Sequence, residues 1–174
     1  MSDTGLRRVA SVGLAVGGAL GMAGTFAPTA ALRGLAWGID GAALVMASAV
    51  LTVICYREGQ DLVAAGFLVF AIGEGIILSG AAMDLTASMP SFAAGTSLWA
   101  VGLGLIGGGR VFPVPVRLLG CAAAVLFGAT ALQIFAGVPI TPLTSPLPFF
   151  AYPVLVATFG GWMWTLSRDR ATAP

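Results

Sequence analysis

The chain has no lysine and no histidine among its 174 residues, and only two cysteines. Without Lys no Schiff base can form, so a lysine-linked retinal is excluded. Without His there is no Ser-His-Asp triad, and His-ligated haem, His-ligated chlorophyll and most catalytic metal sites are excluded with it. A phosphate-cradling GxxxxGK[ST] loop needs Lys and is absent as well. Gly107-Gly108-Gly109-Arg110 is Gly-rich, but it closes an apolar run and leads into no strand–helix unit. Neither a catalytic set, a metal site nor a cofactor is evident, which points away from an enzyme.

Charge is the second scarcity. Charged residues make up 9% of the chain, against roughly a quarter in a soluble domain that must cover a water-facing surface. Hydrophobic residues make up 58% and the mean hydropathy is +0.99, so lipid has to cover what water cannot. Apolar runs of about twenty residues exclude a β-barrel, whose strands alternate apolar and polar positions. A net charge of +1 gives no field for nucleic acid.

What is present is a set of apolar runs broken by charge, Pro or Gly. They predict an all-α, six-helix transmembrane bundle forming a single domain over 1–174, with spans of about 9–28, 34–56, 62–83, 92–109, 115–137 and 148–166. Each comes close to the ~20 residues that cross ~30 Å of hydrocarbon. The fourth is the shortest and the richest in Gly. The arginines test the topology. With the N-terminus inside, Arg7, Arg8, Arg57, Arg110, Arg117, Arg168 and Arg170 are cytoplasmic, and only Arg33 lies outside. That positive-inside bias places both termini in the cytoplasm of a bacterial inner membrane. Arg7-Arg8 followed by an apolar run and Ala27-Pro28-Thr29-Ala30 has the layout of a signal peptide, but is read here as the first membrane helix.

Tyr56, Trp162 and Trp164 are expected at the inner interface, with Phe149, Phe150 and Tyr152 at the outer one. Cys55 and Cys121, near cytoplasmic helix ends in apolar runs, are expected to be free, buried thiols. The loop from Val138 to Pro148 is rich in proline and carries no charge, so it should be extended and serve as a stiff connector on the bilayer surface.

Small residues recur at helix-packing spacing: Gly13, Gly17 and Gly21; Ala71, Gly75 and Ser79; Ala100, Gly104 and Gly108; Gly120, Ala124 and Gly128. Such faces let helices approach closely in lipid, within the bundle or against other membrane subunits or another copy. Four stripes exceed what a small bundle needs, which favours external partners.

Two ionisable residues lie well inside the runs, Asp40 and Glu74, and each costs ~2.5–3.5 kcal/mol to insert at mid-bilayer. Both fall in the outer half. Trp37, Trp99, Ser79, Gln133 and Tyr152 fall in the same half, with Arg33 as an outer-side charge above them. This predicts a polar pocket opening outward. Its uses compete: hydrogen-bonded structural glue, a proton-coupled transporter or channel, or a site for a quinone or other apolar small molecule. Gly73-Glu74-Gly75 fits either a broken transporter helix or tight packing, and packing is the favoured expectation. Together these features favour a non-enzymatic accessory or structural subunit of a larger membrane complex, acting through helix contacts, with proton-coupled transport through Glu74 and Asp40 as the alternative.

Overall fold

A computed structural model describes residues 3–81 and 83–168. Among them the chain forms six α-helices and no strands: α1 Asp3–Thr25, α2 Ala30–Arg57, α3 Asp61–Gly80, α4 Met89–Gly108, α5 Val114–Phe135 and α6 Ala151–Arg168. The helices begin and end where the sequence supplies local signals. Thr29 caps α2 by accepting from the Leu32 N–H, and Pro90 and Pro115 sit in the first turns of α4 and α5, where a missing N–H costs nothing. Gly59 and Gly137 take positive φ just past the ends of α2 and α5.

Five of the six helices, α1 to α5, are long and apolar enough to cross a membrane. The predicted sixth span is shorter than expected. α6 begins at Ala151 and not near 148, and its 18 residues include Tyr152, Pro153, Trp162, Trp164 and Arg168, which dilute its apolarity. The other five helices match the expected spans to within a few residues at most ends; α1 starts six residues earlier and α3 ends at Gly80.

Each helix packs on its neighbour in sequence, and α6 returns to pack on α1, so the six form a closed ring. Short connections make α1 to α5 successively antiparallel. The longer loop 136–150 returns the chain so that α6 runs antiparallel to α5, with Tyr152 lining a cavity at one end and Trp162 against Phe112 towards the other. Arg7, Arg8, Arg57, Arg110, Arg117 and Arg168 therefore gather at one end and Arg33 at the other; Arg170 lies outside the described residues. At the arginine end Arg7 pairs with Glu58, tying α1 to the α2–α3 turn. Arg117 Nε donates to the Gly107 carbonyl at 2.8 Å and so caps the C-terminus of α4.

Aromatic side chains fill the centre of the ring towards the arginine end. Trp162 meets Phe67 edge-on at 4.9 Å between centroids and also touches Phe70, Phe112 and Phe159. Phe70 stacks on Trp99 with 11° between planes, and Trp99 meets Phe127 at 5.0 Å. Trp162 is 1% exposed, so it is a core residue and not part of an interfacial belt. Trp164, two residues on, is the exposed one and carries Arg168 over its ring at 4.3 Å. Tyr56 and Phe150 are exposed as expected. Cys55 is buried and Cys121 half-buried, and both are free.

The small-residue stripes divide. On α1, a Cβ at Gly13 would come 2.8 Å from the Ala43 carbonyl oxygen, and Gly17 and Gly21 face Leu44 and Asp40, so this stripe is consumed by α2. On α5, Gly120 faces Thr158 of α6 and Gly128 faces Ala100 of α4, with Ala124 half-buried against the core. On α4, Gly104 has nothing within 4 Å and Gly108 only the tip of Leu62. Gly75 and Ser79 also face outward, with only Ala71 of that stripe buried.

Candidate functional site

The end of the ring away from the arginines holds a cavity of about 70 Å³. It is built from α1, α2, α3, α4 and α6, and from Pro142 of the α5–α6 loop. The lining follows helical spacing: Trp37, Asp40 and Leu44 on α2, Glu74 and Ile77 on α3 with Ala81 just past its end, and Tyr152, Leu155 and Phe159 on α6. α1 contributes Gly17 and Gly21, whose missing side chains leave the space that the Asp40 carboxyl occupies.

Two carboxyl groups therefore share one cavity. Asp40 lies ten residues into α2, about 15 Å from its start; Glu74 lies six residues before the end of α3, about 9 Å from it. Glu74 is 2% exposed and its carboxyl packs on Gly41, the residue after Asp40. Trp99 lies beside it, against Gly73. A Cβ at Gly73 would come 2.8 Å from the Gly95 carbonyl oxygen, whereas Gly75 has open space around it. α3 runs unbroken through all three residues of the Gly-Glu-Gly triplet, so its first glycine serves close packing and the helix is not discontinuous there.

Three buried threonine hydroxyls elsewhere in the bundle satisfy themselves. Thr96, Thr130 and Thr158 each donate to a carbonyl one turn back on their own helix, at 2.7 to 2.9 Å. The cavity differs. Asp40 Oδ1, Glu74 Oε2 and Trp99 Nε1 are buried without a well-formed hydrogen bond among the described groups, and the donor within reach of the Glu74 carboxyl is the Trp99 indole. Ser48 Oγ is a fourth such atom, deeper along α2 and outside the cavity.

The other expected pocket residues separate into two groups. Trp37 lines the cavity and donates its indole N–H to the Gly21 carbonyl at 3.3 Å, and Tyr152 lines it from α6. Ser79 and Gln133 do not take part: both are exposed and donate to their own helices, at Ile76 and Ala129. Arg33 stacks over Trp37 at 5.9 Å and does not line the cavity. The sequence had not singled out Phe92, Phe159 or Pro142. The proline-rich loop is neither extended nor a surface strap: it folds into turns closed by hydrogen bonds from Thr144 N–H to the Thr141 carbonyl, Phe149 N–H to the Thr144 carbonyl and Phe150 N–H to the Pro146 carbonyl. Ile140 is 4% exposed, Pro142 closes one wall of the cavity, and Thr141 and Thr144 bond to each other across the turn between them.

The arrangement offers two acids, an indole N–H, and aromatic walls in an otherwise apolar chamber. No protein-family model, curated protein or solved structure matches this chain, so the chemistry of this cavity is the ground for a functional assignment.

Proposed function

We propose that this chain is a multi-pass protein of a bacterial inner membrane, with six spans and its arginine-rich end in the cytoplasm. In this reading it holds a small ligand in the Asp40–Glu74 cavity and exchanges a proton there, as a small proton-linked carrier does. Five helices of spanning length support the membrane placement, and the segregation of arginines supports the orientation. The observation that carries the function is Glu74: a 2%-exposed acid, mid-helix, with the Trp99 indole beside its carboxyl, Oε2 in no well-formed hydrogen bond, no basic side chain in the lining and a cavity in front of it. Structural glue would pair its polar atoms, because an unsatisfied buried group costs about 1–3 kcal/mol. Intramembrane acids that face a cavity mark ion or substrate pathways.

The test is infrared spectroscopy of the protein in nanodiscs, with carboxyl bands assigned through Glu74→Gln and Asp40→Asn. The expected result is a carboxyl band that shifts rapidly in D₂O and titrates reversibly. Bands that neither exchange nor titrate across the range in which the protein stays folded would end the carrier reading.

A second reading, an accessory subunit of a larger complex, is supported by the open α4 face at Gly104 and Gly108. The α1 and α5 stripes lend it no support, since both are occupied inside the bundle. Quinone binding draws on the same cavity, with Trp99 and Tyr152 as donors to a carbonyl.

A further inference from the structure

The cavity's charge is one-sided. Two carboxyl groups face it, and no basic side chain lines it. Arg33, the described arginine at this end of the bundle, is engaged with Trp37 outside the lining. An anionic ligand would meet two acids with no counter-charge. A neutral ligand would leave those acids as they are, one of them fully enclosed.

The walls narrow the choice among cations. A hard inorganic cation asks for a shell of six or so oxygens. Here Thr25 and Ser88 turn their hydroxyls to backbone carbonyls of their own segments, at Gly21 and Leu85. No cluster of three or more metal-ligating side chains exists among the described residues. The rest of the wall is aromatic and aliphatic: Trp37, Phe92, Trp99, Tyr152 and Phe159 all border the space. Aromatic faces attract an organic cation, more strongly where water is excluded, and they also accept its apolar body.

We infer that the ligand of this cavity is a small organic cation, a protonated or quaternary amine with an apolar body, held by Asp40 and Glu74 between aromatic walls. The inference rests on the ligand-binding reading above and adds the class of ligand. A cation entering here supplies the counter-charge that no protein group provides. The aromatic plug of Phe67, Phe70 and Trp162 lies beyond it towards the arginine end. A proton and an amine compete for the same carboxyl oxygens, which is the coupling that an exchanger needs.

Three probes with one body and different charge test this: benzylammonium, benzyl alcohol and benzoate, added to the full chain in nanodiscs. Methylammonium and tetraethylammonium extend the cation set in size. Binding is read by thermal shift and by tryptophan fluorescence, to which Trp37 and Trp99 report from the cavity wall. The expected result is saturable binding of at least one ammonium, at least about tenfold tighter than benzyl alcohol, with benzoate silent. Glu74→Gln and Asp40→Asn, each shown to be folded by its melting curve, should each weaken that binding by about tenfold or more. Equal binding of benzyl alcohol, or ammonium binding that survives both substitutions, would overturn the cationic assignment. So would failure of all three ammonium probes. These outcomes are separate from the infrared test: carboxyls that exchange and titrate, without ammonium binding, leave the proton-linked cavity standing and remove only its ligand class.

Discussion

Asp40 of α2 rests its carboxyl on Gly21 of α1, so closely that a Cβ added to Gly21 would stand 2.8 Å from Asp40 Oδ2. The same glycine accepts hydrogen bonds at its carbonyl from Trp37 and from Thr25. One residue of a helix-packing stripe thereby sets the position of three cavity side chains. The atom in the way is the end of a side chain that can rotate, so Gly21→Ala should leave the melting temperature nearly unchanged. It should instead re-aim Asp40 and weaken ammonium binding roughly fivefold, equivalent to about 1 kcal/mol. A variant with wild-type affinity would show that the position of Asp40 does not govern the site.

Gly73 offers the contrasting case. There the obstacle is the Gly95 backbone carbonyl, which cannot rotate away, so Gly73→Ala must separate α3 from α4. A destabilisation of about 1–3 kcal/mol is expected, as for overpacked cores. Gly104→Ala, with nothing within 4 Å, should be neutral or stabilising by up to about 1 kcal/mol through helix propensity alone. Unfolding in a single detergent measures both. If Gly104→Ala proved as costly as Gly73→Ala, the outward placement of the Gly104 face would be wrong.

Trp162 and Trp164 form the next pair. Removing Trp162 opens a void among Phe67, Phe70, Phe112 and Phe159, and Trp162→Ala should cost about 3–5 kcal/mol. Trp164 is half-exposed and meets Arg168, so Trp164→Ala should stay within about 0.5 kcal/mol in detergent. Similar costs for the two would mean that the aromatic plug is not centred on α6.

These two tryptophans also show what the sequence could and could not reveal. Twenty-residue apolar runs are visible from composition, so the helices were legible, and Asp40 and Glu74 stood out because acids in such runs are rare. Which face of a helix turns inward depends on its neighbours. An α6 apolar on most sides gave no sign that Trp162 points into the ring and Trp164 out of it. Ser79 was legible and missed: it lies five residues after Glu74, about 140° around the helix, while Ile77 and Ala81 share the Glu74 face. Gln133 sits on α5, which gives the cavity no side chain. Pro142 was beyond reach, because an irregular loop tucks in according to the space that the bundle leaves for it.

The accessory-subunit reading makes its own prediction. If a partner helix covers the open α4 face, Gly104→Leu should abolish co-purification of a stoichiometric membrane protein from native membranes and leave the melting curve of the isolated chain unchanged. A chain that purifies alone, with and without the substitution, leaves that face to lipid.

Glu74 gives the sharpest separation of stability from function. An enclosed carboxyl with no basic partner is a cost to the fold, and sites kept for function are commonly held at such a cost. Glu74→Gln keeps the shape and a hydrogen-bonding end, and Glu74→Leu replaces the acid by an apolar group of similar length. If the acid is there for a ligand, both should melt no lower than the wild type, with Glu74→Leu raised by about 1–3 kcal/mol, and both should lose ammonium binding. If the acid is there for the fold, both should destabilise it, because each removes an interaction on which the packing depends. Unfolding curves and binding isotherms on the same preparations distinguish the two, and a clear loss of stability in both variants would return Glu74 to a structural role.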